Sequence, residues 1–129
     1  MKIKTNEASG PALDWMVAKC EGYTHLRRNP HRFSSELELI MAPPRASYGP
    51  VLLADLAFST DWAQGGPIIE RECIWLMYGT SLRGELRWAG RIEGTDYGAI
   101  GPTPLIAAMR CYCASKLGDE VEVPKELMS

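Results

Sequence analysis

Thr103-Pro-Leu-Ile-Ala-Ala-Met-Arg-Cys-Tyr-Cys-Ala-Ser-Lys-Leu-Gly118 reads from end to end as a single helix. Thr103 can accept a first-turn N–H as N-cap, Pro104 at the first helical position lacks only an N–H that has no intrahelical partner anyway, and Gly118 suits the residue after the last turn. Ile106, Met109, Cys113 and Leu117 make one apolar stripe, with Leu105 and Tyr112 beside it. Arg110 and Lys116 fall toward the C-terminal half, where the helix dipole favours cations. A segment near the start follows the same pattern. Ser9 or Gly10 caps it, Pro11 opens it and Gly22 stops it, giving a helix over about residues 11–21. Leu13, Met16, Val17 and Cys20 recur at the spacing of a core-facing stripe. Asp14 in the first turn is accounted for by the dipole, and Trp15, off the stripe, is expected in the core.

Between the two helices the pattern changes to strands and loops. Ile3, flanked by lysines, gives residues 1–7 the look of a first strand or a loose arm. Residues 23–35 are polar and read as a loop, whereas Leu37, Leu39 and Met41 alternate as a strand that Ala42-Pro43-Pro44 ends. Residues 51–58 are apolar apart from Asp55, and both helix and strand remain open there. Residues 74–78 read as a strand bounded by Gly79, and Leu86, Trp88 and Ile92 as its partner across a loop at 79–84. Residues 94–101 read as a glycine-rich connector holding Asp96 and Tyr97, and 119–129 as an extended tail with Val121 and Val123. The order predicts an α+β fold: a single compact domain over residues 1–129, its two main helices (about 11–21 and 104–117) packed on a small, mainly antiparallel sheet.

Composition narrows the function classes. The 129 residues are 46% hydrophobic and 23% charged, which fits one ordinary globular domain. A net charge of −2 supplies no general footprint for nucleic acid. No run approaches the roughly 20 apolar residues of a membrane span, and residues 1–7 lack the apolar core of a signal peptide, so a cytoplasmic location is expected. The cysteines are Cys20, Cys73, Cys111 and Cys113. Cys111 and Cys113 are two apart and point to different sides of a helix, and only His25 and His31 are at hand to help, so buried free thiols are expected rather than zinc. No G-x-S-x-G, H-E-x-x-H or Walker pattern occurs, which makes an enzyme the least expected class, and no cofactor is expected.

The densest stretch chemically is Ser59-Thr-Asp-Trp-Ala-Gln-Gly-Gly-Pro-Ile-Ile-Glu-Arg71. Adjacent glycines cost backbone entropy and mark a need for positive φ or close approach. A short helix starting at Pro67 leaves Gly65 and Gly66 presenting bare N–H groups at its start, which suits an anion such as phosphate. Trp62 then offers a stacking face, Asp61 and Gln64 hydrogen bonds, and Arg71 a charge. The alternative is structural: Asp61 caps a turn and Trp62 is a core side chain. Arg27, Arg28 and Arg32, with His25 and His31, form the only basic patch, either a phosphate surface or a solvated loop.

Three stretches carry a family resemblance. The 59–71 segment, Thr103-Pro-Leu-Ile-Ala-Ala-Met-Arg-Cys-Tyr112 followed by Ala114-Ser-Lys-Leu-Gly-Asp-Glu-Val-Glu-Val123, and Ala12-Leu-Asp-Trp-Met-Val-Ala-Lys-Cys-Glu-Gly22 resemble the phage NinX family over nearly the whole chain. The resemblance implies a small protein from an accessory region of lambdoid-type bacteriophages or prophages, and it carries over no catalytic residues. Cys73 and Cys113 depart from it, standing where a glycine and an aliphatic residue are expected, and residues 79–92 look like its variable part. The resulting expectation is a non-enzymatic binding protein that captures a phosphorylated or nucleotide-type small molecule, as in sequestration of a host-defence signal, through Asp61, Trp62, Gln64, Gly65, Gly66 and Arg71. A protein–protein adaptor that inhibits a host enzyme is the alternative, and a DNA-associated protein a further one. Four tryptophans, Trp15, Trp62, Trp75 and Trp88, leave one to spare for a homodimer interface.

Overall fold

The computed structural model describes residues 1–28, 39–44, 49–80, 84, 86–96 and 98–127, apart from the side chains of residues 25, 80 and 126. The readings of His31, Arg32, Leu37 and Tyr97 and of the hairpin tip lie outside them, as does the side chain of His25. The α+β class holds. The first helix, α1, is Gly10–Cys20, the second, α2, is Trp62–Glu72, and the third, α3, is Pro104–Leu117.

α3 is the centre of the molecule. Its Thr103 Oγ1 accepts the Ile106 N–H at 3.1 Å, the expected cap. The single apolar stripe, however, needs correction. Leu105, Ala107, Ala108, Met109, Cys111, Tyr112, Cys113 and Ala114 are all buried, whereas Ile106 and Leu117 are only partly so. Burial runs round the helix because α1 and α2 pack on it from one direction and a three-stranded sheet from the other. Arg110 is likewise more than a dipole partner: its Nε donates to the Ala8 carbonyl at 2.7 Å and Nη1 to that of Ile100 at 2.9 Å, pinning the N-terminal segment to the sheet.

The strands form three small antiparallel sheets among the described residues. β1 (Lys2–Lys4) pairs with the last strand, β8 (Glu120–Glu122), setting Lys2 opposite Glu122 and Lys4 opposite Glu120, so that opposite charges face each other across the ladder. β2 (Thr24–Arg28), β3 (Leu39–Ala42) and β4 (Val51–Leu52) make the second sheet, and residues 53–55 continue as a 3-10 turn, which resolves the open reading of 51–58. Thr24–Arg28, expected as loop, is therefore a strand; its polar composition hid a pairing that only β3 supplies. β5 (Ile74–Thr80), β6 (Leu86–Ile92) and β7 (Gly98–Gly101) make the third. β7 corrects the glycine-rich connector. Its glycines serve close approach: a Cβ on Gly101 falls 2.8 Å from the Ala107 nitrogen, and one on Gly90 falls 3.1 Å from the Ala107 carbonyl oxygen.

α2 begins five residues earlier than Pro67. Asp61 Oδ1 accepts the Ala63 N–H at 2.9 Å, an N-cap that starts the helix at Trp62 and leaves Pro67 inside it. The helix ends on Cys73, whose φ of 53° and ψ of 50° are left-handed, the only such non-glycine among the described residues. That geometry explains why glycine is the expected residue there: a Cβ in this conformation costs about 1–2 kcal/mol. Cys73→Gly is expected to stabilise the protein by about 0.5–1 kcal/mol after the glycine's own entropy cost is set against the relief. Urea denaturation of the two forms checks it, and an unchanged or lower midpoint contradicts the strain argument.

Candidate functional site

The segment between β4 and α2 is wired to both neighbouring helices. Asp14 on α1 takes the Ser59 N–H at 2.9 Å through Oδ1. Gln64 on α2 reaches back, its Oε1 accepting the Ala57 N–H at 2.8 Å and its Nε2 donating to the Asp55 carbonyl at 3.0 Å. Gly65 is buried where a Cβ falls 2.5 Å from the Phe58 carbonyl oxygen, and its N–H donates to the Asp61 carbonyl at 2.9 Å. Asp61 caps, Gln64 latches and Gly65 packs.

The bare N–H groups expected at Gly65 and Gly66 thus need correction. The helix starts before them, so they lie in its body, and the Gly65 N–H is already bonded. Trp62 is not core: it is 53% exposed, while Gly66 has nothing within 4 Å of an added Cβ. Arg71 sits at the other end of α2, about 14 Å along the axis from Trp62 at 1.5 Å per residue. It is also engaged. Its Nη1 and Nη2 donate to the Glu21 carboxylate at 3.0 and 2.7 Å, its Nε donates to Glu72 at 2.9 Å, and the Tyr112 hydroxyl donates to Glu21 at 2.7 Å. The structure brings Asp61, Gln64 and Gly65 together as a scaffold and leaves Arg71 apart from them.

Burial raises the Glu21 carboxyl, but the hydrogen bonds from Arg71 and Tyr112, with the charge of Arg71, outweigh it and hold the group below its ordinary value. A carboxyl lowered in the folded state contributes stability above its unfolded pKa and loses it as pH falls through the folded pKa. Arg71→Ala is therefore expected to cost about 1–2 kcal/mol at pH 7, between an exposed and a buried pair, and progressively less below pH 4. Urea midpoints at pH 7 and pH 3 test it; an equal loss at both ascribes the effect to packing over Tyr112 instead.

On the other side of the 55–60 turn lies a cleft of about 370 Å³. Pro11 of α1, Leu39 of β3, Leu53, Leu56, Ala57 and Leu127 line it with hydrocarbon. Asp14 and Thr60 supply its polar side chains, and Asp14 is only 8% exposed. Burial pushes the Asp14 carboxyl up against the pull of the Ser59 amide. The Ser59 hydroxyl lies near enough to pull the same way, yet falls short of hydrogen-bond geometry, so it is a buried polar atom without a partner. Among the described residues no cation pairs with the Asp14 carboxyl.

The thiols divide. Cys111 and Cys113 are buried, Cys20 partly so, and Cys73 is exposed, which corrects the expectation of uniformly buried thiols. The proximity of the Cys113 and Cys20 thiols lowers Cys20 and raises Cys113, placing the two together where α1 packs on α3. Among the described residues no three of His, Cys, Asp and Glu sit together as a metal-binding group, and no helix is long and apolar enough to cross a membrane.

The family model described as Bacteriophage P22, NinX matches residues 4–116, which span α1, the 53–60 turn, α2, the third sheet and nearly all of α3. The chain belongs to the NinX family. Among curated proteins none matches it. In this NinX chain the residue that sequence reasoning missed is Asp14, read as a dipole partner. Its signal was the lone charge within Ala12-Leu-Asp-Trp-Met-Val-Ala18, seven residues that are all buried. Leu53 and Leu56 carry no signal of their own in sequence, because their apolar segment fits helix and strand equally.

Proposed function

We propose that this phage protein is a non-enzymatic binding protein that captures a small molecule in the cleft beside Asp14. The observation that carries the reading is a buried carboxyl, without a cationic partner among the described residues, at the edge of a hydrocarbon-walled cleft of about 370 Å³. Natural small-molecule sites combine such apolar walls with a few placed polar groups. Work by sequestration needs only a pocket, and nothing in the motifs supplies a nucleophile or a paired acid and base. A phosphorylated or nucleotide-type ligand on residues 61–71 keeps the support of the exposed Trp62 indole and the open Gly66. It loses the Gly65 N–H and Arg71, both engaged in the fold. Native mass spectrometry of the protein purified gently from a bacterial host tests the reading. An adduct that disappears with Ala54→Trp at the cleft wall supports it, and an adduct that disappears only with Trp62→Ala returns the site to residues 61–71.

A protein-contact role, as adaptor or homodimer, has one observation of its own. The face of the third sheet turned away from α3 carries Trp75, Met77 and Ile100, exposed by 58%, 59% and 49%. Sedimentation of wild type against Trp75→Asp separates self-association from a host partner. A concentration-dependent dimer lost in the variant supports the homodimer, and a monomer in both leaves the adaptor.

A further inference from the structure

We propose that the cleft beside Asp14 binds an organic cation, a molecule that sets an ammonium or amidinium group against the Asp14 carboxylate and an apolar body between Leu39, Leu53 and Leu56. The inference rests on the small-molecule reading above and names its ligand class. A carboxylate taken out of water is costly unless it is paired. Asp14 is 92% buried, counted from its 8% exposure, and accepts one hydrogen bond, from the Ser59 amide. That bond fixes the carboxyl through Oδ1, the Ser59 hydroxyl lies beside it, and no cation among the described residues neutralises it.

The walls decide what kind of cation. An inorganic divalent ion needs several oxygen ligands, and the lining beyond Asp14 and Thr60 is hydrocarbon and backbone. The charge must therefore arrive with its own apolar body, which the leucines bury while the ammonium donates to the carboxylate. In such surroundings a charge-assisted hydrogen bond is shorter and stronger than a neutral one. A phosphate or carboxylate ligand meets repulsion at the same point. The volume of about 370 Å³ sets the scale, since it falls at the lower end of the range for small-ligand sites.

Calorimetric titration of the full chain with phenethylamine, 2-phenylethanol and 3-phenylpropionate tests the charge at nearly constant shape. The amine is expected to bind at least tenfold more tightly than the alcohol, and the acid more weakly than either. Asp14→Asn keeps an oxygen for the Ser59 amide and is expected to weaken the amine about 10- to 100-fold while leaving the alcohol unchanged. Its melting temperature at pH 7 should not fall, because the buried charge is gone while the anchor remains. Ala54→Trp, at an exposed wall position, should weaken both ligands. An amine preference that survives in Asp14→Asn overturns the proposal, as does binding of none of the three. Preferred binding of the alcohol or the acid that Ala54→Trp abolishes overturns the cation assignment alone and leaves a small-molecule cleft.

Discussion

Gly65→Ala will destabilise this protein by about 3 kcal/mol, while Gly66→Ala, one residue on, will change its stability by less than about 1 kcal/mol, because the helix propensity gained there is offset by crowding of the new Cβ against the Pro67 ring that follows. The two glycines are adjacent in the same helix, so propensity alone predicts the same gain for both. The difference lies in what a Cβ meets. At Gly65 it falls 2.5 Å from the Phe58 carbonyl oxygen and 2.7 Å from Leu105 Cδ2, and at Gly66 nothing beyond its own chain neighbours stands within 4 Å. The Phe58 carbonyl cannot retreat easily. Asp14 holds the next residue's amide at 2.9 Å and Gln64 holds the Ala57 amide at 2.8 Å, so the turn is fastened on both sides of the clash. Urea denaturation of the two variants at pH 7 measures the contrast. A loss at Gly65 no larger than that at Gly66 would falsify the packing account of Gly65.

Gly101→Val will cost about 3 kcal/mol or more, and the melting temperature will fall by roughly 10 °C. The Cβ alone reaches 2.8 Å from the Ala107 nitrogen and 3.0 Å from Ile106 Cγ2. Relief requires α3 to move off β7. Its far side is already filled, however, by Met109, Tyr112 and Cys113 against α1 and α2. Interiors at this density transmit strain rather than absorb it. Gly101→Ala should lose less, since a lone methyl group is placed at that point. Hydrogen exchange gives the sharper readout: protection in α3 should drop more than protection in the β1–β8 pair. A uniform loss across both would mean that the Gly101 contact is not where the strain enters.

The helices were the most legible part of this protein, for a physical reason. Thr103, Pro104 and Gly118 act within a few residues of themselves, so their capping chemistry is written locally and the helix over residues 104–117 follows from it. The same holds for Pro11 and Gly22 around α1, and for the alternation of Leu86, Trp88 and Ile92 in β6. The start of α2 differs from the sequence expectation because two signals compete there. Pro67 is a good first residue, but Asp61 is a better cap, and the Asp61 carboxylate prevailed by satisfying the Ala63 amide. β2 and β7 show no strand pattern of their own, so the sequence alone points to a loop and a glycine-rich connector there. Each is a strand by virtue of its partner, β3 for the polar residues 24–28 and β6 for the glycine-rich 98–101.

The candidate site was legible only as a neighbourhood. Residues 59–64 do carry unusual chemistry, yet most of it holds the turn in place: Asp61 as cap, Gln64 as latch, Gly65 as close packing. Arg71 shows the limit most plainly. In the sequence it is a free cation ten residues after Asp61, whereas in the fold it is committed to Glu21, fifty residues away, and stacked over Tyr112. Asp14 shows the converse. A first-turn acid is ordinary in sequence, and only the arrival of Ser59 and of the leucines from residues 39–56 makes it a buried carboxyl at a cleft.

By itself, then, the sequence determined the family, the α+β class and the two helices opened by proline and ended by glycine, because capping, periodicity and composition act over a turn or two of chain. The tertiary structure decided the small-residue seam between α3 and its sheet, the partners of Arg71 and the cleft at Asp14. Each of these depends on residues far apart in the chain meeting at a few ångströms, where burial and backbone contact set both the energy and the chemistry.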